Sequence, residues 1–227
     1  MDNQPESNSL RDRFGALLRD NRLAIAVELL VVILLVTRMR NASLLLLLIG
    51  WLSLWLRRSG WKNIGMSRPL NWQNTILAGI GIGILYQLFS ISVLVPVLHR
   101  LTNASLDLSS FEALRGNVTQ LALWLVVAWT FAAFGEEMAY RGYFLNRIAD
   151  LFGRTNFGWG SGIVISSVFF GLVHRYQGIN GVIETFIFGG VMACLYTISK
   201  RNLWLPIIVH GVIDTVGFLL IFFNLYP

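Results

Sequence analysis

An all-α fold, a polytopic membrane helix bundle, is what this sequence predicts, and three observations predict it. Hydrophobic residues make up 55% of the 227 residues. Charged residues make up 13%, about half the roughly 25% of a soluble domain. The apolar residues are gathered into runs of membrane-crossing length rather than dispersed. With a mean hydropathy of +0.62, this composition excludes disorder, collagen-like sequence and a coiled coil. It disfavours a soluble domain, because a core this small cannot bury so much apolar surface. The net charge of +6 fits basic loops facing anionic lipid headgroups, so a lipid bilayer and not nucleic acid is the expected partner. A single cysteine, Cys194, excludes an internal disulfide and a cysteine-based zinc site within one chain.

The elements follow in order. Residues 1–22 form a polar N-terminal segment, and residues 23–227 read as one integral membrane domain. A spanning helix needs about 20 mostly apolar residues. The runs are Leu23 to Thr37, Ala42 to Leu56, Thr75 to Leu98, Leu121 to Gly135 and beyond, Phe157 to Val173, Ile179 to Ile198 and Leu203 to Phe223, giving about seven spans in a range of six to eight. The first two are short and separated only by Arg38 to Asn41, so they read as a tight hairpin. A single helix would put two arginines at mid-membrane, at about 2.5–3.5 kcal/mol each. No small-residue cleavage site follows the first run, which predicts a retained anchor and not a cleaved signal peptide. The basic stretch from Arg57 to Trp72, with Trp61 and Trp72, reads as interfacial. Gly79, Gly81, Gly83, Gly189 and Gly190 read as sites of close helix packing.

Basic residues predict orientation in a cell membrane. Arg11, Arg13, Arg19, Arg22, Arg57, Arg58, Lys62, Arg68, Arg147, Arg154, Lys200 and Arg201 fall in one set of loops, and Arg38, Arg40, Arg100, Arg115 and Arg175 in the other. Twelve against five predicts a cytoplasmic N-terminus.

Ionisable groups inside membrane helices are costly and usually functional. Here they cluster: Glu136, Glu137 and Arg141 in the fourth run, His174 closing the fifth, His210 and Asp214 in the seventh. Glu137 and Arg141 are i,i+4 in the favourable order for an ion pair, while Glu136 is turned about 100° away and faces another neighbour. His210 and Asp214 are also i,i+4, so the carboxylate is expected to take a ring N–H and fix the tautomer. Phe170 and His174 share a helix face. If the fourth and fifth helices form a hairpin about Thr155, Glu136 and His174 lie at one depth, each 19 residues and about 28 Å away along straight helices. His210 is only about 10 Å into its span. These three meet only if the hairpin from Tyr143 to Asn156 projects beyond the bilayer or a helix breaks. Glu28, His99 and Glu184 read as structural residues near helix ends.

At these residues the sequence resembles the CAAX protease and bacteriocin-processing enzyme (CPBP) family of intramembrane proteases, which includes the type II CAAX prenyl endopeptidases. Glu136-Glu137-Met138-Ala139-Tyr140-Arg141 fits its E-E-x-x-x-R motif, Phe170 to His174 its F-x-x-x-H motif, and His210 to Asp214 its H-x-x-x-N/D motif. The resemblance covers about residues 119–217. It implies a helical bundle with a polar cavity and an endopeptidase that cleaves a peptide or membrane-protein substrate without a cofactor. By the same resemblance, Glu136 and His174 activate a water, Arg141 holds Glu137, and His210 with residue 214 stabilises the oxyanion. Many relatives carry Asn at the last position. Asp214 is therefore expected to orient and charge His210, which makes the oxyanion contact itself.

Two rival readings stand beside this one. Glu136, His174, His210 and Asp214 are acceptable zinc ligands for a metal-dependent protease, although no H-E-x-x-H motif is present. A non-catalytic membrane regulator or immunity protein would also carry intramembrane charges.

Overall fold

Within the N-terminal segment, the side chains of Ser9 and Asp12 bond each other's backbone N–H in a capping box. The amphipathic helix they start, α1 (Leu10–Asp20), belongs to a computed structural model that describes residues 9–38 and 42–226. It lies against the end of the second hairpin helix. Arg11 donates to the Trp55 carbonyl at 2.6 Å, and Arg19 to the Arg57 carbonyl at 2.7 Å. The polar segment is thus a docked helix.

The apolar runs become helices almost one for one. The short hairpin pair is α2 (Arg22–Val36) and α3 (Ala42–Leu56); their expected turn lies, beyond Arg38, outside the described residues. Five longer helices follow, each long and apolar enough to cross a membrane: α4 (Trp72–Thr102), α5 (Val118–Leu151), α6 (Asn156–Val173), α7 (Gly178–Ile198) and α8 (Trp204–Phe222). No strand occurs among the described residues. The chain is a multi-pass helical membrane protein. Outward leucines and valines such as Leu34, Leu48, Leu85 and Val126 are exposed and face where lipid would lie.

Loop contacts show that the crossings alternate. At one end Arg19 reaches the Arg57 carbonyl, and Leu203 N–H donates to the Gly65 carbonyl at 3.0 Å. At the other, Asp107 N–H donates to Gln177 and Gly116 N–H to Phe222. The basic interfacial stretch contributes a short 3-10 turn, Trp61–Ile64. It ends on Gly65 at φ +104°, where an added Cβ would sit 2.2 Å from the Arg201 carbonyl oxygen. This turn sits over the start of α8, and the Tyr196 hydroxyl donates to the Ile64 carbonyl at 3.0 Å.

Two helices depart from α-geometry. A π turn interrupts α4 at Ser90–Leu94, and α5 is π-helical over Ala128–Leu145. Such i→i+5 segments are rare and concentrate at functional sites. α5 is also long, with 34 residues. Its Gly142 rests on Ile64 and Leu203, level with the start of α8. Residues 143–156 therefore project past that level, which is how the hairpin reconciles the depths of Glu136, His174 and His210.

The projecting part is held by a buried polar network. Arg147 bonds Glu28 of α2 and, at 3.1 Å, Asp150; Tyr143 and Ser53 hydroxyls also donate to Glu28. Arg147 is 1% exposed, so it is no loop residue, and its place in the orientation count is corrected: it is a clamp. Glu28, read as a helix-end acid, is the centre of that clamp. Elsewhere, Gly79 and Gly83 let α4 approach α8, with added Cβ atoms falling 2.5 Å from Ile208 and 2.7 Å from Val212. Gly81, expected to do the same, faces open space.

Candidate active site

The π-helical part of α5 sends its two adjacent acids to different places. Glu137 is fully buried. Its Oε1 accepts from Arg141 Nη1 at 2.9 Å and from His210 Nδ1 at 2.9 Å. Arg141 also donates to the Gly189 carbonyl of α7 at 2.9 Å, and its guanidinium lies 4.7 Å over the Phe170 ring of α6. One ion pair therefore ties α5, α6, α7 and α8 together. Neither Glu137 Oε2 nor Arg141 Nε has a hydrogen-bond partner among the described residues. Glu136, half-buried, turns instead toward α3, where the Ser43 hydroxyl donates to Oε1 at 2.8 Å.

His174 stands where α6 ends. Its Nδ1 lies 2.7 Å from the Phe170 carbonyl oxygen. A carbonyl only accepts, so Nδ1 carries the hydrogen and Nε2 is left as an acceptor. Phe170 also packs on His174 at 4.7 Å and on Tyr140 at 4.8 Å, so the phenylalanine of the F-x-x-x-H motif is a platform for its histidine. His210 is 4% exposed and stacked edge-on against Phe188 at 4.7 Å. Asp214 does not take the expected ring N–H: His210 Nε2 to Asp214 Oδ2 is 3.6 Å, beyond hydrogen-bond reach. Glu137 takes it instead, because the i,i+4 helical offset brings Asp214 near the ring while the neighbouring helix aims a carboxylate straight at Nδ1.

Glu136, His174, His210 and Asp214 all line one cavity of about 610 Å³. Glu136 and His174 face it without hydrogen-bonding each other; their partners are Ser43 and Phe170. Loop residues Leu106, Leu108 and Ser110, with Tyr176 and Gln177, wall the cavity at the end that carries few arginines. Glu137 and Arg141 sit behind the wall. The site has room for a carbonyl group and a water among acceptors and a histidine. Among the described residues, no three His, Cys, Asp or Glu side chains are grouped so that they could hold a metal ion.

Some participants carried no sequence signal. Ser43 is 93 residues from Glu136, and the Gly189 contact uses a backbone carbonyl. Glu184 was legible as an acid within an apolar run, but its place is not the structural helix start expected: it lines the cavity and accepts from Ser90.

Compared with known proteins, residues 118–216 match the family model described as type II CAAX prenyl endopeptidase Rce1-like. No curated protein and no solved structure matches the chain.

Proposed function

The chain carries over residues 118–216 a domain of the Rce1-like type II CAAX prenyl endopeptidase family, a family of membrane proteases, and from that premise we propose how its own residues hydrolyse a peptide bond. Glu136 is the general base. The water lies between the Glu136 carboxylate and His174 Nε2, both acceptors, which take its two hydrogens and aim its lone pair at the scissile carbonyl. Glu136 removes one proton as the oxygen attacks. His210 acts as the imidazolium, its charge balanced by Glu137 and Asp214: Nδ1–H is held by Glu137, and Nε2–H is presented to the oxyanion that forms. The C–N bond then breaks as the proton on Glu136 passes to the leaving amine. Arg141 and Glu137 are positioning residues, and Asp214 lies beside the His210 ring as a second negative charge.

The observation that supports this reading most is the shared cavity: Glu136, His174, His210 and Asp214, from three helices, reach one space whose lining is largely apolar and aromatic. The test is proteolysis of a peptide library, with and without a C-terminal prenyl group, by the chain reconstituted in liposomes. Wild type is expected to cleave a subset and Glu136→Gln none. Equal cleavage by both would overturn Glu136 as base. Stoichiometric zinc, lost to a chelator together with activity, would overturn the metal-free mechanism. A biological phenotype unaffected by Glu136→Gln would favour the regulator reading.

A further inference from the structure

One wall of the cavity takes no part in the steps above. Glu184 of α7 faces it, with the Ser90 hydroxyl donating to Oε1 from the π turn of α4. Tyr86 and Gln87, one turn earlier on α4, line the same wall, as does Tyr226. The Tyr86 hydroxyl is buried and has no hydrogen-bond partner among the described residues.

The cavity lining is also electrostatically one-sided. Its carboxylates are Glu136, Glu184 and Asp214, and no lysine or arginine lines it among the described residues. Arg141, behind the wall, is taken up by Glu137 and the Gly189 carbonyl. A carboxylate offers about four acceptor sites, and among the described residues Glu184 has one donor, Ser90. Away from bulk water an uncompensated carboxylate is costly, and a cation with N–H donors compensates it best. Phe188 and Tyr86, packed edge-on with ring centroids 5.8 Å apart, line the same cavity.

We infer that this cavity selects peptides bearing a lysine or arginine side chain, which Glu184 binds on the α4–α7 wall while the scissile bond lies at Glu136 and His174. The inference rests on the protease reading and adds its substrate class. Acidic peptides are repelled by the same three carboxylates.

The experiment uses the full chain in neutral phosphatidylcholine liposomes and N-acetylated, C-amidated peptide pairs. In each pair one position flanking the cleaved bond carries lysine or norleucine. Wild type is expected to show kcat/KM about tenfold or more in favour of lysine at one or more positions, the scale of a charged hydrogen bond. In Glu184→Gln, whose amide oxygen still accepts from Ser90, the ratio is expected to fall to near one. A wild-type ratio near one at every position overturns the inference, as does a ratio that Glu184→Gln leaves unchanged. Should Glu184→Gln fail to fold, the wild-type ratio decides alone. If wild type cleaves no peptide, the protease reading fails separately, and binding of the same fluorescently labelled pairs decides this one: lysine-selective binding lost in Glu184→Gln supports it, and equal binding overturns it.

Discussion

Glu136 and Glu137 are chemically identical neighbours with opposite fates. Glu137 is sealed between Arg141 and His210, whereas Glu136 has one hydroxyl partner and an open face toward the cavity. The two substitutions should therefore separate activity from stability. Glu136→Gln keeps the shape and the Ser43 bond, and it is expected to lower kcat by about 10²–10⁴-fold, the range of general-base catalysis, with an unchanged thermal midpoint. Arg141→Ala leaves a carboxylate buried without its cation, and it is expected to cost about 3–5 kcal/mol, read as a lowered denaturant or thermal midpoint in detergent. A similar contrast applies at His210. Because Glu137 and not Asp214 holds the ring N–H, Asp214→Asn is expected to keep kcat/KM within about tenfold, short of a full charge-assisted hydrogen bond. Glu137→Gln is expected to lose more. Equal losses would restore Asp214 as the orienting carboxylate. The six motif residues were legible from sequence because charge in an apolar run has few structural uses; the pairing among them was not, since spacing alone cannot say which helix lends His210 its carboxylate.

At the level of elements, the helices were legible and their internal geometry was not. A run of apolar residues names a span, but the switch to i→i+5 bonding over Ala128–Leu145 leaves no mark in composition. Within that stretch Glu137 and Arg141 meet on one side while Glu136 turns to Ser43. Small residues were legible as packing sites, yet only the partner helix decides which of them matter. Gly79 and Gly83 touch α8, and Gly81 touches nothing. Gly83→Leu is accordingly expected to force α8 outward, with a loss of about 1–3 kcal/mol typical of overpacking and a fall in activity, because Val212 lies two residues from His210. Gly81→Leu, on the open face, is expected to match wild type in both thermal unfolding and proteolysis. Similar behaviour of the two variants would mean that α4 and α8 do not meet through this glycine face.

Across the whole molecule, charge and cavity lie at opposite ends. Removing the buried Arg147 from the count leaves, among the described residues, eleven basic residues at the end that holds α1, the Trp61 turn and the tip of the α5–α6 hairpin, against four at the other, Arg38, Arg100, Arg115 and Arg175. The walls of the cavity formed by Leu106, Ser110 and Tyr176 belong to the poorer end. Since lysine and arginine are retained on the cytoplasmic side, a substrate is expected to enter from the opposite side. A cysteine-labelling experiment reads this directly. With Cys194 replaced by serine to remove the one native thiol, Ser105→Cys and Asn63→Cys place single thiols at exposed positions on the two ends. A membrane-impermeant maleimide is expected to label Ser105→Cys in intact cells and Asn63→Cys only after permeabilisation. The reverse pattern would put the arginine-rich end outside. The cavity would then be entered from the cytoplasm, and the basic side chains it is inferred to bind would have to come from cytoplasmic peptides.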